Sequence, residues 1–283
     1  MDTKNKKVWL ITGASRGIGL EIAKAALAAG NQVIGTVRRD PHTLMNELND
    51  KNFFAVTMDV TSPEQVKTAI AEAVSHFGKI DVLINNAGFG LLGAIEEGSD
   101  EEIRRMYDTN VFGLLNVTRE MLPYFRKQRS GHVINISSVG GLTASAGWGL
   151  YCSTKFAVEG ITESLAIELA PLGIKATVIA PGYFRTNFLD GSSLNRTERI
   201  IDDYAGTSGK MREAAAQISY NQPGDPKKLA LAVVKLVESE NPPVHLPLGK
   251  DTLSHFNEKM KKFNAEIEEW YDVITSTDHD DVV

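Results

Sequence analysis

Short apolar runs, four to six residues long and rich in β-branched side chains, recur at Val8 to Ile11, Gln32 to Val37, Phe53 to Met58, Val82 to Asn85, His132 to Ile136 and Lys175 to Ala180. Between them the apolar positions return at helical spacing. A run that is apolar throughout suits a strand covered on both faces, and strands alternating with helices pair in parallel through crossover connections. The pattern predicts an α/β fold: a single doubly wound Rossmann-type domain with a central parallel sheet and helices on both faces. A last strand is expected around Val244 to Leu248.

Local signals place the element ends. Asp40-Pro41 and Ser62-Pro63 each put a capping side chain before a proline at the first helical position, and Gly30 closes the first helix. A long helix is expected from about Asp100 to Arg126, bending or fraying at Pro123. Over residues 183–224 the periodicity weakens and Gly191, Gly206 and Gly209 interrupt it. We read this stretch as a mobile substrate lid, with a plain surface loop as the alternative. Residues 1–250 then form the domain and 251–275 a helical extension. There Leu253, Phe256, Met260, Phe263, Ile267, Trp270 and Ile274 alternate spacings of three and four and make one apolar stripe. The stripe is expected to pack on its own domain, with a subunit contact as the alternative. The acidic tail 276–283 is expected to be disordered.

Composition narrows the function. The chain has 283 residues, 42% hydrophobic and 23% charged, as an ordinary globular domain does. Its net charge of −6 gives no reason to expect nucleic acid or an anionic membrane as partner. Cys152 is the single cysteine, which excludes an internal disulfide and fits the cytosol. Packing on the helix face opposite Tyr151 is the expected role of that thiol. Lys4, Lys6 and Lys7 before an apolar run look superficially like a signal peptide, but the run is too short and leads straight into a glycine turn. The six histidines show no paired ligand spacing, so no metal site is expected.

That turn is Thr12-Gly13-Ala14-Ser15-Arg16-Gly17-Ile18-Gly19. After the first strand the backbone must turn sharply and bring amides close to a pyrophosphate, which calls for glycine at 13 and 17. Gly19 lets the next helix pack against the strand, and the helix N-terminus attracts the diphosphate. Farther along, Tyr151 and Lys155 lie four residues apart and share one helix face, with Ser138 thirteen residues before the tyrosine. On this reading the Lys155 ammonium sits beside the Tyr151 hydroxyl and, with a cationic nicotinamide ring, lowers its pKa by roughly three units, about 4 kcal/mol.

Taken together with Asp59, Asn85-Asn86-Ala87-Gly88, Asn110 and Pro181-Gly182-x-x-x-Thr186, these motifs resemble the short-chain dehydrogenase/reductases from Val8 to about Gly249. The resemblance implies that Tyr151 is the general acid or base and that Ser138 polarises the substrate oxygen. It implies that Lys155 holds the nicotinamide ribose and that Asn110 supports a water-linked proton relay. Cofactor contacts are implied for Gly13, Ser15, Arg16, Gly17, Ile18 and Gly19, for Asp59 and Val60 at the adenine, and for Asn86, Ala87 and Gly88. Pro181, Gly182, Tyr183 and Thr186 complete that set. It also implies a homodimer, in which the helices carrying Asn110 and Tyr151 pair across subunits.

At the ribose end of the second strand Val37 stands where an acid would select NAD. Arg38 and Arg39 follow, and Arg16 lies in the turn, so NADP(H) is the expected cofactor. Asp40 reads as a helix cap rather than the missing acid. The expected activity is NADPH-dependent reduction of a ketone or aldehyde, reversibly. Phe89, Leu91, Leu92, Leu142, Trp148, Tyr183, Phe184, Phe188 and Leu189 suggest an apolar or aromatic small-molecule substrate. An NAD-linked alcohol dehydrogenase and a non-catalytic dinucleotide-binding protein are the competing readings.

Overall fold

The structure is a computed structural model, and it describes residues 6–191 and 193–279. Residues 1–5, including Lys4 of the signal-like start, and the last four of the acidic tail lie outside the described residues.

The main sheet has seven parallel strands in the order β3-β2-β1-β4-β6-β7-β9. These are β1 (Val8–Ile11), β2 (Gln32–Val37), β3 (Phe53–Thr57), β4 (Val82–Asn85), β6 (Gly131–Ile136), β7 (Ile174–Pro181) and β9 (His245–Leu248). A small parallel pair, β5 (Gly90–Leu92) with β8 (Leu194–Arg196), stands apart from it. The pair escaped the sequence reading because three residues carry no usable period.

Helices cover both faces, as the runs of buried residues require. Residues of α1 (Gly17–Ala28), α2 (Pro41–Leu48) and α9 (Pro226–Glu238) pack with Trp9 and Ile11. Residues of α3 (Pro63–Phe77), α5 (Leu114–Gln128) and α7 (Gly149–Leu169) pack with Val8 and Leu10. Successive side chains of β1 thus enter two separate apolar clusters, as strand pleating dictates. The remaining helices are α4 (Asp100–Tyr107), α6 (Val139–Leu142), α8 (Lys210–Ile218), α10 (Lys250–Glu269) and α11 (Tyr271–Thr275). Asp40 caps α2, accepting from the His42 amide at 3.2 Å, and Ser62 caps α3 by accepting from the Gln65 amide at 3.3 Å.

Two expectations need correction. The long helix does not fray at Pro123, since α5 continues through it to Gln128; it is broken instead by a π-type turn over Asp108–Gly113. Nor does the C-terminal stripe pack on its own domain along its whole length: Phe256 and Met260 are half-buried, but every residue from 261 to 270 is exposed. Within α10 only Thr252 is buried. Phe263 is 51% exposed and Trp270 58%. Helical spacing shows that a stripe exists, but not what covers it.

Candidate active site

The carboxyl ends of β1, β4 and β6 open into a cleft of about 1160 Å³, at the point where strand order reverses between β1 and β4. The glycine turn forms one end. Gly13 and Gly17 have φ of +66° and +57°, a region costly for other residues. A Cβ at Gly19 would stand 2.5 Å from both the Asn86 amide nitrogen and the Gly13 carbonyl oxygen, so that position tolerates no side chain. Asn86 uses its side chain to brace the turn, donating to the Thr12 and Gly13 carbonyls at 2.9 and 3.1 Å. Thr12 Oγ1 in return accepts from the Asn86 and Ala87 amides, both at 2.9 Å.

This end fits a dinucleotide. The turn brings bare backbone to the cleft, and the N-cap residue of α1, Arg16, makes no side-chain capping hydrogen bond, so the helix N-terminus suits an anion. Gln222 also lines the cleft; it is 1% exposed, and neither atom of its amide has a hydrogen-bond partner among the described residues. A buried amide left unpaired costs on the order of 1–3 kcal/mol, so a polar ligand entering the cleft has something to restore. Arg16, Arg38 and Arg39 line the same end with Asp59. The Asp59 carboxylate is tied locally, accepting from the Thr61 amide and hydroxyl at 2.9 and 2.7 Å.

At the other end Ser138, Tyr151 and Lys155 converge on the cleft. Ser138 ends the β6 crossing as the cap of α6, its Oγ accepting from the Gly140 amide at 3.1 Å. Tyr151 lies in the first turn of α7, fixed by an edge contact from Trp148 with ring centroids 5.7 Å apart. Lys155 is one turn farther, and its Nζ donates to the Ile136 carbonyl at 2.8 Å and stands 5.7 Å from the Tyr151 ring centroid. The expected lowering of the phenol pKa draws on a nicotinamide ring as well as Lys155, and the groups of the protein itself act in the other sense. Burial drives the Tyr151 hydroxyl up, and a hydrogen bond with Ser138 opposes this only in part. Lys155 is itself brought down to about 8 by burial, with Glu159 acting in the opposite sense. Desolvation penalises both charged forms, and the ammonium lies over the ring rather than at the hydroxyl.

Asn110 does not line the cleft. It is buried directly behind Gly88, where its Oδ1 accepts from the Phe89 amide at 3.0 Å and its Nδ2 donates to the Phe89 carbonyl at 2.9 Å and to Thr154 Oγ1 at 3.2 Å. Its side chain is thus spent on holding the loop after β4 against α7. Gly19 also lies outside the lining; the other residues named for the cofactor border the cleft.

Of the expected substrate wall, Phe89, Trp148, Tyr183, Phe184, Phe188 and Leu189 border the cleft, whereas Leu91 and Leu92 are buried in the cluster behind it. Cys152 is not turned away: it lies in that same cluster and on the cleft wall, with burial raising its thiol pKa. Ile201 and Arg212, within the expected lid, are fastened by Glu97, which is 1% exposed. Glu97 accepts from the Ala94 and Ile201 amides at 2.6 and 2.9 Å and from the Arg212 guanidinium. Burial pushes this carboxyl up, but those hydrogen bonds and Arg212 outweigh it and hold it below the usual carboxylate range. Arg105, Met211, Gln222 and His255 also border the cleft and were not foreseen. Only a tertiary contact brings His255 there, from α10.

Residues 7–197 match the family model for short chain dehydrogenases. An oxidoreductase of Botryotinia fuckeliana, BOA17, is 36% identical over 93% of this chain and 96% of its own. The 3-ketodihydrosphingosine reductase of Bacteroides thetaiotaomicron is 37% identical over 86% and 88%. A crystal structure of a short-chain dehydrogenase from Streptomyces avermitilis superposes with a TM-score of 0.89 at 40% identity, covering 98% of this chain and all of that one. With the glycine turn, the strand-reversal cleft and the Ser138, Tyr151 and Lys155 group in place, the chain belongs to the short-chain dehydrogenase family of oxidoreductases, which act on CH–OH and C=O groups with a nicotinamide dinucleotide.

Proposed function

We propose that this protein is an NADPH-dependent carbonyl reductase that converts a ketone or aldehyde with an apolar body to the alcohol, reversibly. The observation that carries the reading is the meeting of Ser138 and Tyr151 at one wall of a cleft whose far end presents the glycine turn. When bound, the dinucleotide would supply the hydride to the carbonyl carbon. Tyr151 donates its proton to the carbonyl oxygen, and the Ser138 hydroxyl hydrogen-bonds that oxygen as alkoxide charge develops. Burial keeps the Tyr151 phenol protonated, which suits a proton donor. Lys155 and the Ile136 carbonyl lie beside it, where a ribose hydroxyl would join them.

Arg16, Arg38 and Arg39 at the adenine end, with Val37 ending β2 where an acid would exclude a 2′-phosphate, support NADP(H) over NAD(H). Phe89, Trp148 and Phe188 support an apolar or aromatic substrate. The test is turnover of a panel of carbonyls, followed by nicotinamide absorbance with NADPH and NADH at equal concentration. NADPH should be preferred by about 10-fold or more, and Arg38→Ala should erase most of that margin. Equal or better turnover with NADH overturns the cofactor assignment, and no turnover by a chain that still binds the dinucleotide overturns the reductase.

A further inference from the structure

The face of α7 that carries Tyr151 and Lys155 continues past them. Glu159 and Glu163 follow at the same four-residue step, so one helix face bears a phenol, an ammonium and two carboxylates in a row. The row leads outward. Tyr151, Lys155 and Glu159 are buried, whereas the Glu163 side chain is 57% exposed. Strand β9 pairs with β7, His245 opposite Val178, and this pairing sets the His245 ring against the outer half of the row. Its Nδ1 stands 3.4 Å from the Glu159 carboxylate, long for a hydrogen bond, and its Nε2 3.6 Å from that of Glu163.

Glu159 is the unusual member. Neither of its carboxylate oxygens has a hydrogen-bond partner of good geometry among the described residues. A Cβ at Gly141 would stand 3.0 Å from its Oε1 and closer still to the Ser137 hydroxyl, so those two groups share the space beside that glycine. Burial pushes the Glu159 carboxyl above the usual carboxylate range; Ser137 and His245 act against this, and Glu163 acts with it. A buried charge so poorly bonded does little for folding, and an uncharged side chain of its size would cost less. What the charge does serve is Lys155, one turn back, whose ammonium it favours against burial.

We propose that His245 is a positioning residue for the reaction: from the edge strand of the sheet it keeps Glu159 ionised, and Glu159 in turn keeps Lys155 as the ammonium in the cleft. The last strand thereby reaches the chemistry through a carboxylate, although His245 is not among the residues that line the cleft. This rests on the reading of Lys155 as the group that holds the nicotinamide ribose beside Tyr151.

Two pH profiles test it, the Kd for NADPH read by fluorescence without turnover and the alkaline limb of kcat/KM. His245→Leu removes the group that favours the carboxylate, so Glu159 takes up a proton and Lys155 loses its support. Both limbs should move to lower pH by about half a unit or more, roughly 3-fold in the proton affinity of Lys155. Glu159→Gln should move them at least as far. The double variant should move them no farther than Glu159→Gln alone, because His245 acts through that carboxylate. His245→Gln, nearer in size to the native ring, should give a smaller shift of the same sign and guards against a His245→Leu chain that fails to fold. Histidine variants that lower the Tm and leave both limbs in place would overturn the proposal, as would single-variant shifts that add in the double. A chain whose NADPH binding shows the expected shifts but which turns over no carbonyl would sink the reductase and leave this inference standing.

Discussion

The two ends of the cleft are built in different ways. At the dinucleotide end eight consecutive residues, Thr12 to Gly19, do nearly everything, and Asn86 locks them from the adjoining strand. At the substrate end Phe89, Trp148, Phe188, Met211 and His255 come from five separated segments, and the Glu97–Arg212 pair fastens the segment that carries Met211. The first end is a backbone shape with no room for change. The second is a packed wall whose members can be exchanged while the shape behind them stands.

The most severe break in either end is removal of the proposed proton donor between them. Tyr151→Phe should lower kcat/KM by about 10²–10⁴ while the Kd for NADPH, read by fluorescence titration, changes little. Comparable activity in that variant would dismiss Tyr151 as the acid.

Gly19→Val and Phe188→Ala compare the ends directly. A side chain at 19 collides with the Gly13 carbonyl and the Asn86 amide, so dinucleotide binding should fall beyond detection in calorimetry. Phe188→Ala should raise KM for an apolar carbonyl by roughly 10-fold, the loss of one aromatic contact, and leave the Kd for NADPH in place. If the two variants fail alike, the ends are not independent.

Arg212→Met strands the buried Glu97 carboxylate, a change that costs about 3–5 kcal/mol when a partner is removed from a buried pair. Thermal unfolding should register the loss, and limited proteolysis should cut within residues 196–224 first. Acid gives a milder form of the same experiment. The Glu97 carboxyl is held below its ordinary 4.5. Its contribution is complete above that value and is lost as pH falls through the lower folded value, so the substrate end should loosen in acid.

The smallest expected effect is on the alkaline limb. Lys155 has a pKa of about 8 in the free enzyme, so kcat/KM should fall as pH rises through about 8 and the ammonium is lost. Stability runs the opposite way. Between about 8 and the ordinary lysine value of 10.5 the unfolded chain binds more protons, so folding gains as pH rises. Glu159 lies one turn along α7 and sustains the ammonium, and the His245 ring stands 3.4 Å from its carboxylate. Glu159→Gln should move the limb to lower pH. An unmoved limb would leave Glu159 with a packing role alone.

These contrasts also explain what could be read without coordinates. The sheet strands were legible because a strand buried on both faces is apolar at every position, and their boundaries matched to within a residue or two. The glycine turn and the Tyr151 to Lys155 step were legible because each is a local geometry written in adjacent residues. Misreadings fell where a distant contact decides. Leu91 and Leu92 were taken for substrate wall because the short β5–β8 pairing that turns them inward joins segments a hundred residues apart.

The sequence by itself determined the parallel sheet, the dinucleotide turn and the placing of Tyr151 and Lys155 on one helix face, since periodicity, backbone sterics and i to i+4 geometry act over a few residues. Only the tertiary structure decided that the Asn110 side chain bonds the Phe89 backbone, that Gln222 and His255 reach the cleft, that Glu97 binds Arg212 and that the second half of the C-terminal stripe is left uncovered. Burial and long-range contact set those outcomes, and both are properties of the packed chain rather than of any stretch of it.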